Sequence, residues 1–105
     1  MLIIEEFRVE ESKIDEMHEH IKEAFEIIKD WKLPYLEYAK AYQDPDDPSR
    51  FRTLFEIGDR SNFDPFNDRF MAYKDGLFPK RFFSIVNEED YSYSIYNEVD
   101  SVGEV

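Results

Sequence analysis

Apolar residues recur at every second position in four short stretches and at every third or fourth position in two longer ones. Along the chain these stretches run strand, helix, strand, strand, helix, strand. Leu2 to Val9 mixes apolar and β-favourable types and stops at Glu10-Glu11-Ser12, where Ser12 is placed to cap a helix with Asp15 three positions on. From there Ile14, Met17, Ile21, Ala24, Phe25 and Ile28 form one helical stripe. Leu33-Pro34 ends the helix, because a residue before proline is pushed out of the α region. Tyr35 to Gln43 alternates, Asp44 to Ser49 is rich in turn residues, and Phe51 to Ile57 alternates again, which predicts an antiparallel hairpin. In the connector over 58–64, Ser61 or Asp64 can cap a second helix whose first turn suits Pro65. Its apolar side is Phe66, Phe70 and Tyr73, and Gly76 terminates it. Residues 77–86 fit a short extra helix opening at Pro79, since Phe82, Phe83, Ile85 and Val86 are too apolar for an exposed loop. Tyr91 to Val99 is the last strand, and residues 100–105 form a frayed tail.

A βαββαβ order with right-handed crossovers closes as a ferredoxin-like α+β sheet with the helices on one face, here as one domain over residues 1–99. Strand parity assigns Ala39, Ala41, Phe51, Phe55, Ile57, Tyr93 and Ile95 to the helix side. The opposite side receives Leu36, Tyr38, Tyr42, Leu54 and Tyr96, mixed with Lys40, Arg52, Glu56 and Glu98. At about 25 cal/mol per Å² of apolar surface, a face so rich in aromatics is poorly left to water. With Glu6 and Arg8 on the same parity its charges balance, so a second copy of the same sheet is the expected cover and the chain is expected to be a homodimer.

Composition narrows the function classes. Hydrophobic residues make up 42% of the 105 residues and aromatics 17%, too much apolar surface for a disordered chain. A net charge of −12 with no basic cluster disfavours nucleic acid and anionic membrane surfaces as partners. Arg50 to Phe55 has the aromatics of an RNA-recognition strand but none of its glycines. The absence of cysteine removes disulfides and thiolate metal sites, no window approaches the roughly 18 apolar residues of a membrane span, and Met1 to Ile4 is too short for a signal peptide. A soluble cytoplasmic protein is the expectation, and nothing in the residues asks for a metal or cofactor.

The chain resembles the dimeric α+β barrel superfamily, which includes antibiotic-biosynthesis monooxygenase-like, NIPSNAP-like and stress-responsive barrel proteins. The resemblance lies in Ile3-Ile4-Glu5-Glu6-Phe7-Arg8-Val9 before Ser12-Lys13-Ile14-Asp15-Glu16, and in the terminal aromatic strand Tyr91-Ser92-Tyr93-Ser94-Ile95-Tyr96. It implies a homodimer with a pocket in each subunit between helices and sheet, used in some members for cofactor-free oxygenation or for haem chemistry. Haem-degrading members set an Asn on the first strand and a His on the second helix, and this chain has neither.

Candidate chemistry is sparse. His18 and His20 point about 200° apart on a helix and cannot converge on a metal. Both are expected at the solvent edge of the apolar stripe, with His18 the better candidate for a proton shuttle at a pocket mouth. Asp44, Asp46 and Asp47 resemble the start of a calcium loop, but Ser49 stands where that loop needs Gly and Phe55 where it needs Glu, leaving a solvated turn. Glu88-Glu89-Asp90 reads as a solvated cap before the last strand. The polar residues on helix-facing parity are Glu5, Glu37, Thr53 and Asn97. A carboxylate facing an apolar core must be paired, hydrogen-bonded or neutralised, a situation that general bases exploit. Glu5 and His18 are therefore the candidate catalytic residues, with Tyr73 and Asn97 as candidate ligand-binding residues. One expectation is a cofactor-independent oxygenase- or isomerase-like protein that encloses a small apolar or aromatic ligand. The other is a non-catalytic dimeric module whose interior is filled by side chains such as Phe25, Phe66 and Phe70.

Overall fold

The structure is a computed structural model that describes residues 1–103. Four strands, β1 (Leu2–Arg8), β2 (Tyr38–Gln43), β3 (Arg50–Glu56) and β4 (Tyr91–Tyr96), form one sheet in the order β2-β3-β1-β4, and every neighbouring pair is antiparallel. Helices α1 (Ile14–Asp30), α2 (Phe63–Ala72) and α3 (Leu77–Ile85) pack on one side of it. This is a ferredoxin-like α+β fold with one helix, α3, added after α2 within the second crossover. No described helix is long and apolar enough to cross a membrane.

Several element ends differ from the sequence expectations, each for a local reason. Ser12 makes no capping bond; Glu11–Lys13 forms a 3₁₀ turn instead, and α1 opens at Ile14. The first helix ends in Trp31, whose ring packs edge-on to Tyr73 and lies under the Arg69 guanidinium at 4.6 Å. Leu33 to Leu36 is a turn closed by Leu36 N–H donating to the Leu33 carbonyl, so β2 begins at Tyr38 and not Tyr35. Before α2 the capping group is Asp59, whose carboxylate accepts from the Ser61 N–H at 2.8 Å, in place of Ser61 or Asp64. Residues 77–85 are helical from Leu77, two positions earlier than Pro79, which then falls in the first turn where its missing N–H costs nothing. The last strand stops at Tyr96, opposite Leu2, so Asn97 to Val99 lie outside the sheet. Residues 97–103 carry no regular structure, and positions 104–105 of the expected tail lie outside the described residues.

Alternation along the strands sends Ile3, Glu5 and Phe7 of β1 and Phe51, Thr53 and Phe55 of β3 to the helix side. The apolar interior under the helices is split into two clusters. One gathers Met1, Ile3, Ile28, Phe55, Ile57 and Phe66; the other gathers Phe7, Val9, Met17, Phe51, Ile85 and Val86. On each of three elements a polar residue falls between the members of the two clusters: Glu5 between Ile3 and Phe7, Thr53 between Phe51 and Phe55, and His20 between Met17 and Ile28. Among the described residues, nothing covers the other sheet face. Tyr42 and Tyr96 are 52% and 57% exposed there, Arg52 pairs with Glu6 at 2.6 Å, and Lys40 lies over the Tyr38 ring at 4.4 Å.

Candidate functional site

The band between the two apolar clusters is open. A cavity of about 370 Å³ lies there, floored by β1, β3 and β4 and roofed by all three helices. That volume falls near the lower end of the roughly 300–1,000 Å³ typical of small-molecule sites. Its walls are mostly rings and aliphatic groups, among them Ile3, Phe7, Phe25, Phe55, Phe66, Phe70, Phe78 and Phe82. Met71, Phe83 and Tyr93 also line it and are 44%, 39% and 57% exposed, which places the mouth between the α2–α3 pair and the β4 edge. Among the described residues, the lining includes no Lys or Arg.

Glu5 is the carboxylate of this cavity. The Thr53 hydroxyl donates to its Oε1 at 2.9 Å and the Tyr91 hydroxyl to its Oε2 at 2.6 Å. Both donors follow from strand pairing: Thr53 lies directly across from Glu5 on β3, while on β4 Tyr93 lies opposite Glu5 and Tyr91 sits one pleat further along the same face. Each carboxylate oxygen has a further lone pair, so the group is held in orientation and can still accept from an occupant. Burial first, and the Glu5 carboxylate beside it second, push the Tyr91 phenol well above its ordinary value. Tyr91 therefore stays protonated and remains a donor.

His20 enters the same cavity from α1. It is 5% exposed, against the expectation of a solvent-edge residue, and its ring meets Phe78 and Phe82 with centroids 6.3 and 6.0 Å away. Burial, with the Arg81 guanidinium as a second cause and Glu23 opposing, lowers its pKa to about 4. Nδ1 is sealed and has no hydrogen-bond partner among the described residues. The helical spacing Met17, His20, Ala24, Ile28 carried the signal, since these are the buried positions of α1 and His20 is central among them.

The other candidates lie elsewhere. His18 bonds through Nε2 to Gln43 Oε1 at 3.1 Å on the surface and packs edge-on against Phe51, outside the cavity lining. Tyr73 stacks on Phe78 and against Trp31 behind the cavity wall. Asn97 follows the end of β4 and is exposed. The structure therefore brings Glu5 together with Thr53, Tyr91 and His20, and not with His18, Tyr73 or Asn97. Asp44 caps its own turn, accepting from the Asp46 and Asp47 N–H groups, while Arg50 pairs with Asp44 and Arg8 with Asp47.

Comparison with solved structures shows where this architecture recurs. A Nitrosomonas europaea protein described as an antibiotic biosynthesis monooxygenase superposes with a TM-score of 0.78 at 17% identity, over 97% of this chain and 92% of that one. The cofactor-independent oxygenase SnoaB from Streptomyces nogalater superposes with a TM-score of 0.77 at 9% identity, over 98% and 96% of the two chains. Another antibiotic biosynthesis monooxygenase reaches 0.71 at 20% identity, over 95% and 100%. The chain has the fold of the antibiotic-biosynthesis-monooxygenase-like proteins. No family model matches the sequence, and no curated protein matches it.

Proposed function

We propose that the chain binds a small, mostly apolar ring compound in the cavity and uses Glu5 to remove a proton from it. The observation that carries this reading is a carboxylate set between two apolar clusters, on the wall of a cavity, with both oxygens oriented by hydroxyl donors. A carboxylate in such surroundings is costly to fold around and useful for proton abstraction. The likeness in fold to a cofactor-independent oxygenase supports the same class of chemistry. In an oxygenase of this kind Glu5 takes a proton from a carbon or hydroxyl activated by the ring, and the resulting anion gives electrons directly to O₂. The peroxide so formed loses water to leave a carbonyl, and the proton returns through Glu5. Without O₂, return of the proton to a different carbon is an isomerisation.

The working unit in this proposal is a homodimer packed sheet to sheet, so that Tyr38, Tyr42 and Tyr96 of each copy are covered. A thermal-shift series with naphthol and related aromatic alcohols tests the pocket. Ligand at about ten times its Kd adds about 1.4 kcal/mol, or on the order of 5 °C in Tm for a domain of this size. That shift is expected in the native protein and absent in Glu5→Gln. Absence of any shift with every aromatic tried would leave the dimeric module as the better description.

A further inference from the structure

Resting on the pocket reading above, we infer that His20 is a second polar anchor of the cavity, and that its occupant carries hydroxyls at two ends, one for Glu5 and one for the α1 side. The two anchors belong to different layers, Glu5 to the floor on β1 and His20 to the roof on α1, with aromatic side chains around both. A buried imidazole nitrogen without a partner is costly, so it calls for an explanation. The described residues offer none: Phe78 and Phe82 pack on the ring, and Glu23, the nearby acid, is engaged by Arg81 outside the cavity. The ring lines the cavity, and because Nδ1 is sealed as it stands, a half-turn of the ring is what would bring that nitrogen to a partner there.

The class of that partner follows from the inventory of groups. Neutral imidazole offers one N–H and one bare nitrogen, and a hydroxyl can satisfy either. A half-turn of the ring about χ2 lets either edge meet the occupant. At the other end Glu5 accepts only, while Thr53 and Tyr91 already spend their protons on it. With no Lys or Arg in the lining among the described residues, an acid would meet a carboxylate without compensation. The site therefore selects an uncharged ring diol over a ring with a single hydroxyl, and rejects the ring carboxylate.

Calorimetry with a naphthalenediol bearing hydroxyls at opposite ends, naphthol, and naphthalene carboxylate separates the possibilities. In the native protein the second hydroxyl should tighten binding about tenfold, one hydrogen bond's worth, and the carboxylate should not bind. In His20→Phe the diol and naphthol should bind within about twofold of each other. Equal affinities in the native protein, or a diol preference that survives His20→Phe, would overturn the role of His20 and leave the pocket reading standing. Failure of all three to bind would remove both. If His20→Phe does not fold, ¹⁵N spectra of the native imidazoles decide. The His20 resonances should move with the diol and stay with naphthol, while His18, outside the cavity, moves with neither. An unmoved His20 would overturn the inference.

Discussion

Glu5 is a carboxylate placed among mostly apolar side chains, and its two hydroxyl neighbours determine how the site responds to change. Tyr91→Phe removes a 2.6 Å hydrogen bond to a carboxylate and leaves that oxygen without its donor. Such bonds are worth about 1.5–3 kcal/mol, so urea denaturation should show a loss near the lower end of that range, since the pair is only part-buried. His20 makes a prediction in pH. Its folded value, about 4, lies below the ordinary 6.5, so between these values the unfolded chain binds a proton that the folded one refuses. Stability should therefore fall as pH drops from about 6.5 toward 4, by on the order of 3 kcal/mol from this group. Acidification also relieves the repulsion within a chain of net charge −12, which acts in the opposite sense. The difference between native protein and His20→Phe cancels that shared effect, and the native protein should lose stability relative to the variant as pH falls through the window. Parallel curves would show that His20 is not buried as a neutral ring.

Strand alternation was enough to place Glu5, Thr53 and Phe55 under the helices, because a period of two leaves only two faces and a one-residue error would have exposed a whole apolar set. Local chemistry was less legible where a tertiary partner decides. Asn97 has the right parity but lies just past the end of β4, outside the sheet and exposed. His20 was hidden because histidine is common at stripe borders; its burial comes from Phe78 and Phe82 on α3, the segment whose helical nature was least marked in the sequence. That helix depends on the turn before it. Lys74, Asp75 and Gly76 have φ of 45°, 58° and 84°, a left-handed run with one glycine in it. A Cβ on Gly76 meets nothing closer than 3.6 Å, so the cost of Gly76→Ala is backbone strain and not collision. It should lower stability by about 1–2 kcal/mol in denaturant titration. An unchanged midpoint would show that the turn can relax.

The assembled chain presents one covered and one open sheet face, and these carry different parts of the proposal. The helix side holds the cavity; the open side, with Leu54 half-buried and Tyr42, Arg52 and Tyr96 exposed, is the surface proposed to meet a second copy. Sedimentation equilibrium should find two chains per particle, and Leu54→Arg should return single chains with unchanged circular dichroism. A native protein that sediments as one chain would remove the dimer without touching the cavity. Whether the cavity is a ligand site is decided most directly by a crystal of the native protein soaked with naphthol. The ring should lie between α1 and the sheet with its hydroxyl within hydrogen-bond distance of Glu5. Naphthol bound only elsewhere, with Phe70 and Phe78 turned in to close the space beside Glu5, would contradict it.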